Sequence, residues 1–532
     1  MRPSAAVTLL VACASCGGQR EAAREKTPRI LRVAYEREID VLNPFTSQNL
    51  VDISFSMIEG LVTTDDQNRY VPVLARSIPT LDNGLIVRKT DGTVEMTWPL
   101  QENVRWHDGT PFTSADVCFT WSFVTSPDSQ TYNREQYLGI KGCRTPDDHT
   151  VVFAWDGEYA YYAGLFEAVL PKHLLGGMTA AQIVSHEPYN RGRGTVGTGP
   201  FRFAEWKAGE YIRVVRNRDY WRGPGHPQID EIVWAFIPDS NTRWNALRRG
   251  QYDWGRLEPT QVSLARGLPG YDVHLVEMNS VMHFDLSLAT AHGRSLFADL
   301  RVRRALFHAI DREAIATKLL EGTVQVADSP LNPKSPFHNP GVRGFGRDPA
   351  LSKSLLDEAG WRPGADGIRS KEGERFVFTL LLRAGTRDRS LVAQVIQAEL
   401  REVGVEVRFE TLESAAWSMR WRSGQWEAVV SAWFLPADPG LTGLYACRGA
   451  NNMTKFCDPG LDDLLERSDR ALLFADRKAL LDRVQARLAE TARTLPLYVN
   501  ATPELVRKRI HNYRGSGTNF GSFWNLWEWT LG

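Results

Sequence analysis

Strand-forming and helix-forming patterns alternate along most of this sequence, which restricts the chain to α/β folds. In the second half, residues 376–382 form a strand-like run, residues 390–403 follow a helical pattern, and residues 405–409 alternate as a strand. Gly404 stands where that helix has to stop, because glycine accepts the left-handed conformation that ends many helices. A βαβ unit is therefore predicted here.

The first half of the chain shows the same alternation. Residues 30–35, 94–98 and 211–215 are predicted as strands. Thr113 and Asp116 match the capping-box spacing, which predicts a helix that runs from there to about residue 125. No internal repeat is evident.

The length and the charge narrow the class of protein. A chain of 532 residues exceeds what one hydrophobic core accommodates, so more than one domain or lobe is expected. Its 63 basic and 63 acidic residues give no net charge, which argues against a nucleic-acid-binding protein. The 17 tryptophans indicate a large interior that contains many aromatic rings.

The N-terminal residues resemble an export signal. A singly basic start precedes an apolar run that stops at Cys13, and the run Leu10-Val11-Ala12-Cys13 matches a lipobox, in which the cysteine becomes lipidated. Cys16 is the competing lipidation site. Residues 1–16 are thus predicted as a lipoprotein signal peptide and residues 17–28 as a polar tether. A plain secretory signal or a misplaced start codon is the alternative. The predicted location is the periplasm or the cell surface, with a lipid anchor in a membrane.

The remaining cysteines form two local pairs, Cys118 with Cys143 and Cys447 with Cys457. In an oxidising compartment, disulfide bonds are the default for such pairs, and four buried thiols are the alternative. The tight Cys-x-x-Cys or histidine spacing of zinc sites is absent from the sequence.

Signatures of common enzyme classes are missing from the sequence. It contains no His-Glu-x-x-His, Gly-x-Ser-x-Gly or Walker motif. Residues 192–197 match Gly-x-Gly-x-x-Gly, but Pro188 and Asn190 precede them and Pro200 follows, so a loop is predicted instead of a dinucleotide site. We therefore predict no catalytic residue, no metal site and no cofactor.

One stretch carries a family resemblance. Residues 104–117 read Val-Arg-Trp-His-Asp-Gly-Thr-Pro-Phe-Thr-Ser-Ala-Asp-Val. This stretch resembles the extracellular solute-binding proteins, family 5, which are the peptide, nickel and oligosaccharide receptors of ABC importers. Further similar segments follow in the family's order, at residues 43–44, 59–61, 197–201, 299–312, 397–405 and 500.

The resemblance implies a periplasmic-binding-protein-like α/β fold in which a ligand is buried between two hinged lobes. The first lobe would comprise residues 29–271, with an extra subdomain at about 71–187. Residues 272–494 would form the second lobe, and residues 495–532 would return to the first. The crossings between lobes would lie near residues 272–285 and 495–500.

The resemblance also indicates binding residues. In the peptide receptors of this family, a second-lobe tryptophan is followed three positions later by an aspartate that pairs with the peptide α-ammonium. Here Trp433 is followed at that spacing by the uncharged Pro436, and Asp438 comes two residues later. Either Asp438 replaces the missing acid or the ligand lacks that amine, because a buried ammonium without a counter-charge is costly.

Other residues fall where this family lines its cleft. They are Trp417, Phe434 and Tyr498, with Tyr132 as a first-lobe wall; a role in the core is the alternative for the first three. Arg387 and Arg389 are candidates for binding a ligand carboxylate, and exposed surface arginines are the alternative. The Cys447/Cys457 pair matches a disulfide that follows this motif in some dipeptide receptors.

The sequence therefore predicts a monomeric, non-enzymatic receptor that delivers an oligopeptide or a similar-sized solute to ABC permease subunits. An exported enzyme or chaperone on the same scaffold remains an alternative. So does a receptor for a nickel chelate or an oligosaccharide.

Overall fold

The computed structural model describes residues 28–47, 52–131 and 133–532. The strands are, in chain order, β1 (Ile30–Tyr35), β2 (Val62–Thr64), β3 (Tyr70–Pro72), β4 (Ile86–Arg88), β5 (Val94–Pro99), β6 (Ile140–Asp147), β7 (Thr150–Trp155), β8 (Phe201–Lys207), β9 (Tyr211–Arg216), β10 (Glu231–Phe236), β11 (Trp254–Arg256), β12 (Tyr271–Leu286), β13 (Gln325–Val326), β14 (Arg362–Pro363), β15 (Arg369–Lys371), β16 (Glu374–Arg375), β17 (Val377–Arg383), β18 (Glu406–Leu412), β19 (Ala428–Phe434), β20 (Thr494–Arg507), β21 (Ile510–His511) and β22 (Thr530–Leu531).

Helices separate most of these strands. The α-helices are, in chain order, α1 (Asp52–Phe55), α2 (Ser114–Thr125), α3 (Lys172–Leu175), α4 (Ala180–Val184), α5 (Glu187–Arg191), α6 (Ser240–Arg248), α7 (Val262–Ala265), α8 (Ala291–Phe297), α9 (Leu300–Ala309), α10 (Arg312–Ala314), α11 (Pro349–Glu358), α12 (Arg387–Glu402), α13 (Ser414–Ser423), α14 (Thr442–Tyr445), α15 (Pro459–Arg470) and α16 (Phe474–Glu490).

Local sequence signals explain several of these elements. The βαβ unit predicted for residues 376–409 is confirmed as β17, α12 and β18, and the two strands are parallel. The helix begins at Arg387, three residues before the predicted start, and Gly404 follows it with a φ of +90°. The capping box at α2 is also present, with the Thr113 backbone N–H donating to Asp116 at 2.9 Å.

The glycine-rich match at residues 192–197 is a loop between α5 and β8, as predicted. A Cβ at Gly197 would overlap the backbone carbonyl of Met57. This glycine therefore allows two backbone segments to approach each other closely.

Two long neighbouring strands, β12 and β20, connect the two halves of the main sheet. The order of this sheet is β18-β17-β19-β12-β20-β11-β1-β10-β9-β8. At one end β20 pairs with β11 through Glu504–Val506, and at the other end β12 pairs with β19 through Ser280–Leu286. The register between β12 and β20 shifts between Glu277 and Val281. The chain thus passes between the halves along two adjacent antiparallel strands.

Separate hydrophobic cores lie on either side of this connection. The first-lobe core contains residues from β1, β5, β7 and β10, such as Leu31 and Trp234, and includes Trp529 near the C-terminus. The second-lobe cores form around Phe284 and Leu306, and around Leu461 of α15. The fold is therefore the expected two-lobe α/β arrangement.

A further sheet belongs to the first lobe. Its strands lie in the order β4-β5-β7-β6. In the structure Cys118 of α2 lies at disulfide-bonding distance from Cys143 of β6, at the edge of this sheet, and Cys447 lies at disulfide-bonding distance from Cys457 in the second lobe. In the described ranges, no helix combines the length and the apolar character that crossing a bilayer requires.

Candidate ligand-binding site

A cavity of about 600 Å³ lies between the two lobes. This volume falls within the range typical of ligand sites, which is roughly 300–1,000 Å³. The first lobe contributes Tyr70, Asn133, Gln136, Tyr159, Tyr161, Gly164, Glu167 and Asn519, and the second lobe contributes residues 433–436, 438, 440, 442–444, 451 and Asp469. Because both lobes form its wall, a solute in this cavity contacts both at once.

Aromatic rings form much of the wall. Tyr159 and Tyr161 follow β7 on the first lobe, and their ring centroids lie 5.3 Å apart. Trp433 and Phe434 end β19 on the second lobe, and Phe434 is 40% exposed. Aromatic and apolar surfaces of this kind, combined with a few polar groups, are typical of solute pockets.

Trp433 is held in place by a stack of tryptophans. Its ring lies 4.9 Å from that of Trp421, and Trp421 stacks on Trp417 at 5.5 Å with an interplanar angle of 11°. Trp417 is buried against Leu381 and Val429 in a core cluster. The structure therefore places Trp417 behind the cavity wall, in the core role that the sequence left open, and not on the wall.

The segment after Trp433 is fixed by Asn279 of β12. The Asn279 side-chain amide donates to the carbonyl oxygen of Pro436 at 2.9 Å, and the Leu435 N–H donates to the Asn279 carbonyl at 2.9 Å. Pro436 thus reaches the cavity as a neutral residue at the position where a charged anchor was expected.

Asp438 lines the cavity but is already paired within the protein. The Arg477 Nε donates to its Oδ1 at 2.9 Å, and Arg477 also donates to the Ser468 carbonyl. Burial raises the pKa of Asp438 to about 6, and the Arg477 guanidinium acts in the opposite direction. The protein itself therefore compensates the negative charge that a ligand ammonium would require.

Tyr161 connects the two lobes directly. Its hydroxyl donates a hydrogen bond to Asp469 of α15, and the Arg477 guanidinium lies 4.4 Å from the centroid of its ring. Burial raises the pKa of Asp469, although the hydrogen bond from Tyr161 lowers it. These contacts join the single-turn helix Ala160–Gly164 to α15 and α16.

Glu167 presents a second kind of carboxyl group to the cavity. Its segment is held against residues 59–61, with the Leu61 N–H donating to the Phe166 carbonyl and the Val169 N–H to the Glu59 carbonyl. Burial raises the pKa of Glu167 to about 7, and a hydrogen bond with Asn519 opposes that rise. Among the described residues, no arginine holds Glu167 in the way that Arg477 holds Asp438.

Tyr498 lies on the other face of the main sheet from Trp433. In the register, Met282 lies beside both Ala432 and Tyr498, so these three side chains share one face. Trp433 follows Ala432 in the strand and points to the opposite face. The structure therefore does not bring Tyr498 and Trp433 to the same cavity.

Tyr498 instead lines a second cavity of about 330 Å³, together with Glu258, Arg387 and Arg389. Burial lowers the pKa of the Arg389 guanidinium. The two arginines considered for a ligand carboxylate thus lie together, beside Tyr498 and apart from the acidic cavity.

Some predicted residues lie outside the described ranges. These are Cys13, Cys16 and Tyr132. Asn133, the neighbour of Tyr132, lines the 600 Å³ cavity. Within the described part of the chain, no group of three histidine, cysteine, aspartate or glutamate residues could hold a metal ion.

Sequence reasoning missed several residues of this wall. Tyr159 and Tyr161 belong to an aromatic run that resembles ordinary core, and Asp469 resembles a solvated helix charge. Glu167 gave the clearest available signal, because it is the lone charge in the apolar run of residues 165–170.

Comparison with known proteins identifies the family. Residues 69–455 match the model of the bacterial extracellular solute-binding proteins, family 5 (middle region). This chain belongs to that family. The family consists of extracellular solute-binding proteins of bacteria.

Two relatives in this family illustrate the range of its named ligands. The chain is 31% identical over 408 residues to the oligopeptide-binding protein AppA of Bacillus subtilis, covering 74% of this chain and 71% of AppA. It is 27% identical to the nickel-binding periplasmic protein of Escherichia coli, over 81% of this chain and 79% of that protein.

A solved structure of this Bacillus subtilis AppA holds a nonapeptide. It matches this fold with a TM-score of 0.75 at 26% identity, covering 95% of this chain and 100% of the AppA chain.

Proposed function

We propose that this member of the solute-binding family is the receptor of an ABC importer that captures an oligopeptide or a similar-sized solute between its lobes. The observation that carries this proposal is the 600 Å³ cavity, whose aromatic walls come from both lobes. The similarity to the oligopeptide-binding protein AppA favours a peptide-sized solute. We propose no catalytic step.

The proposed mechanism is a shift between open and closed forms. A solute that contacts both Tyr159 and Trp433 gains these contacts only when the lobes are closed. Such a solute therefore stabilises the closed form by its differential affinity for the two states. The permease subunits would then recognise the closed, loaded receptor.

Lobe boundaries follow from this proposal. Residues 29–271 form the first lobe, with an extra subdomain at about 71–187, and residues 272–494 form the second. Residues 495–532 return to the first lobe. The pairing of β12 with β20 supports crossings at these places, because the two strands run side by side between the separate cores.

The receptor is also proposed to be monomeric and held to a membrane by a lipid. Residues 1–16 would be the signal peptide, residues 17–28 the tether, and Cys13 the lipidated residue, with Cys16 as the competing site. Metabolic labelling with a radioactive fatty acid tests this. Cys13→Ser should abolish the labelling and Cys16→Ser should keep it; the reverse result would assign the lipid to Cys16.

Thermal unfolding tests the receptor function. Pools of tri- to pentapeptides should raise the melting temperature of the purified protein, and small-angle scattering should show a smaller radius of gyration with the same pools. Nickel and an oligosaccharide set serve as comparison ligands. If peptides produced no shift while nickel or a glycan did, the peptide assignment would be overturned. Turnover of a peptide, abolished by one substitution in the cavity, would instead favour an enzyme.

A further inference from the structure

The cavity between the lobes has an unbalanced charge. Three carboxyl groups, those of Glu167, Asp438 and Asp469, line it. None of the described residues that line it is a lysine, an arginine or a histidine. One guanidinium, that of Arg477, lies behind the wall and is bound to Asp438.

The three carboxyl groups differ in the groups that compensate their charge. Arg477 compensates Asp438, and the Tyr161 hydroxyl donates to Asp469. The Asn519 side chain favours the ionised form of Glu167, and among the described residues no lysine, arginine or histidine acts on this carboxyl group. Enclosing an ionised carboxylate without a counter-charge is unfavourable, so a cationic solute relieves a penalty that a neutral one leaves in place.

The rings around these acids favour the same kind of ligand. Tyr70, Tyr159, Tyr161, Trp433 and Phe434 all line the cavity. The faces of aromatic rings attract cations, most strongly in sites shielded from water. Aromatic walls and carboxylates together are a known way to bind ammonium and guanidinium groups.

We propose that the solute taken up by this cavity carries a cationic nitrogen, an ammonium or a guanidinium, and that the Glu167 carboxylate of the first lobe is its principal anchor. This inference rests on the proposed receptor function and deepens it by naming the class of solute. In this proposal the acidic anchor lies in the first lobe. In the family's peptide receptors it lies in the second lobe, where this chain has Pro436 instead. A solute held by Glu167 and stacked on Trp433 bridges the lobes.

Two matched peptide pools test the proposal. The amine pool contains random tri- to pentapeptides of Gly, Ala, Ser, Leu, Phe and Lys with free amines. The acetylated pool contains the same peptides after complete acetylation of their α- and ε-amines. Spermidine serves as a cation that is not a peptide. Binding is measured by thermal shift and by calorimetry on wild type, Glu167→Gln and Glu187→Gln.

The Glu187→Gln variant is the matched control, because Glu187 is an exposed first-lobe carboxylate that does not line the cavity. The proposal expects wild type to bind the amine pool and not the acetylated pool. Glu167→Gln should weaken binding of the amine pool by at least about 30-fold, the scale for removing one partner of a buried charge pair, and Glu187→Gln should leave it unchanged.

Other outcomes discriminate between the inference and the receptor function. Equal binding of the two pools, or an unchanged affinity in Glu167→Gln, would overturn the cationic anchor and leave the peptide receptor in place. Binding of spermidine alone, lost in Glu167→Gln, would support the anchor and overturn the peptide assignment. If no pool bound and spermidine did not bind either, both proposals would fail. The melting temperature of the ligand-free variant shows whether Glu167→Gln is folded.

Discussion

The guanidinium carbon of Arg477 lies 4.4 Å from the ring centroid of Tyr161, although Arg477 belongs to the second lobe and Tyr161 to the first. The same tyrosine donates a hydrogen bond to Asp469. A cation over an aromatic face and a hydrogen bond to a carboxylate are both stronger when shielded from water. These contacts therefore favour the closed arrangement of the lobes.

Tyr161→Phe tests this contact between the lobes. The substitution removes the hydrogen bond to Asp469 and keeps the ring beneath Arg477. A hydrogen bond to a charged group contributes about 1.5–3 kcal/mol, so calorimetry should show the affinity for the amine pool falling by about 10- to 150-fold. Tyr252→Phe is the control, because Tyr252 packs in a separate first-lobe cluster. Equal effects of the two substitutions would contradict the role of Tyr161.

A comparison of two tryptophans separates the cavity wall from the core behind it. Trp417→Ala should lower the free energy of unfolding by about 3–5 kcal/mol, because it deletes a buried ring. Trp433→Ala should lower the affinity for the amine pool by roughly 3- to 30-fold, the scale of one cation–aromatic contact, with a smaller loss of stability. Urea unfolding and calorimetry measure the two effects. A larger loss of stability in Trp433→Ala than in Trp417→Ala would contradict this assignment.

Ligand affinity should depend on pH through Glu167. Its pKa is raised to about 7 in the ligand-free protein, and a cationic solute binds the ionised form. The ionised fraction rises by about fifteenfold between pH 5.5 and 7, so the affinity of wild type for the amine pool should rise by a similar factor. In Glu167→Gln a smaller dependence should remain near pH 6, because Asp438 titrates there. If the affinity depended on pH equally in wild type and in Glu167→Gln, the pH dependence would arise from a group other than Glu167.

The stability of the ligand-free protein should change with pH in the opposite sense. The folded-state pKa of Glu167 lies above its unfolded value. Its contribution to stability is therefore complete below about pH 4.5 and is lost as the pH rises through 7. Between pH 5 and 7.5, the melting temperature of wild type should fall relative to that of Glu167→Gln. If the difference between the two melting temperatures stayed constant over this pH range, Glu167 would not be a buried acid.

Removing either disulfide bond should lower the free energy of unfolding. In the chain-entropy account, a bond closing 25 residues contributes about 3.5 kcal/mol and one closing 10 residues about 2.7 kcal/mol. Replacing Cys118 and Cys143 by alanine should thus lower the free energy of unfolding somewhat more than replacing Cys447 and Cys457. Chemical unfolding of each variant with and without reductant checks this. A variant as sensitive to reductant as wild type would show that its missing pair was not a bond.

The elements that sequence could predict are those set by local signals. The capping box at Thr113 predicted the start of α2, and Gly404 predicted the end of α12, because caps depend on neighbouring residues. The early motif at residues 104–117 led to the family and hence to the two-lobe fold. Both cysteine pairs were also evident, because each joins residues close in sequence.

The binding site was less predictable, because its walls meet only in three dimensions. Arg477 lies 39 residues from Asp438 in sequence, and Tyr161 lies 308 residues from Asp469. Nothing local to Asp438 showed that its charge would be compensated. The separation of Tyr498 from Trp433 depends on the register between β12, β19 and β20, since a shift of one residue reverses the face of every side chain.

Native mass spectrometry of the wild-type protein after incubation with the amine pool tests the central claim most directly. The account predicts one bound peptide per chain, each carrying a free amine, and loss of that bound species in Glu167→Gln but not in Glu187→Gln. A protein that keeps the mass of the bare chain at saturating peptide would contradict the claim that the cavity between the lobes captures a peptide-sized solute.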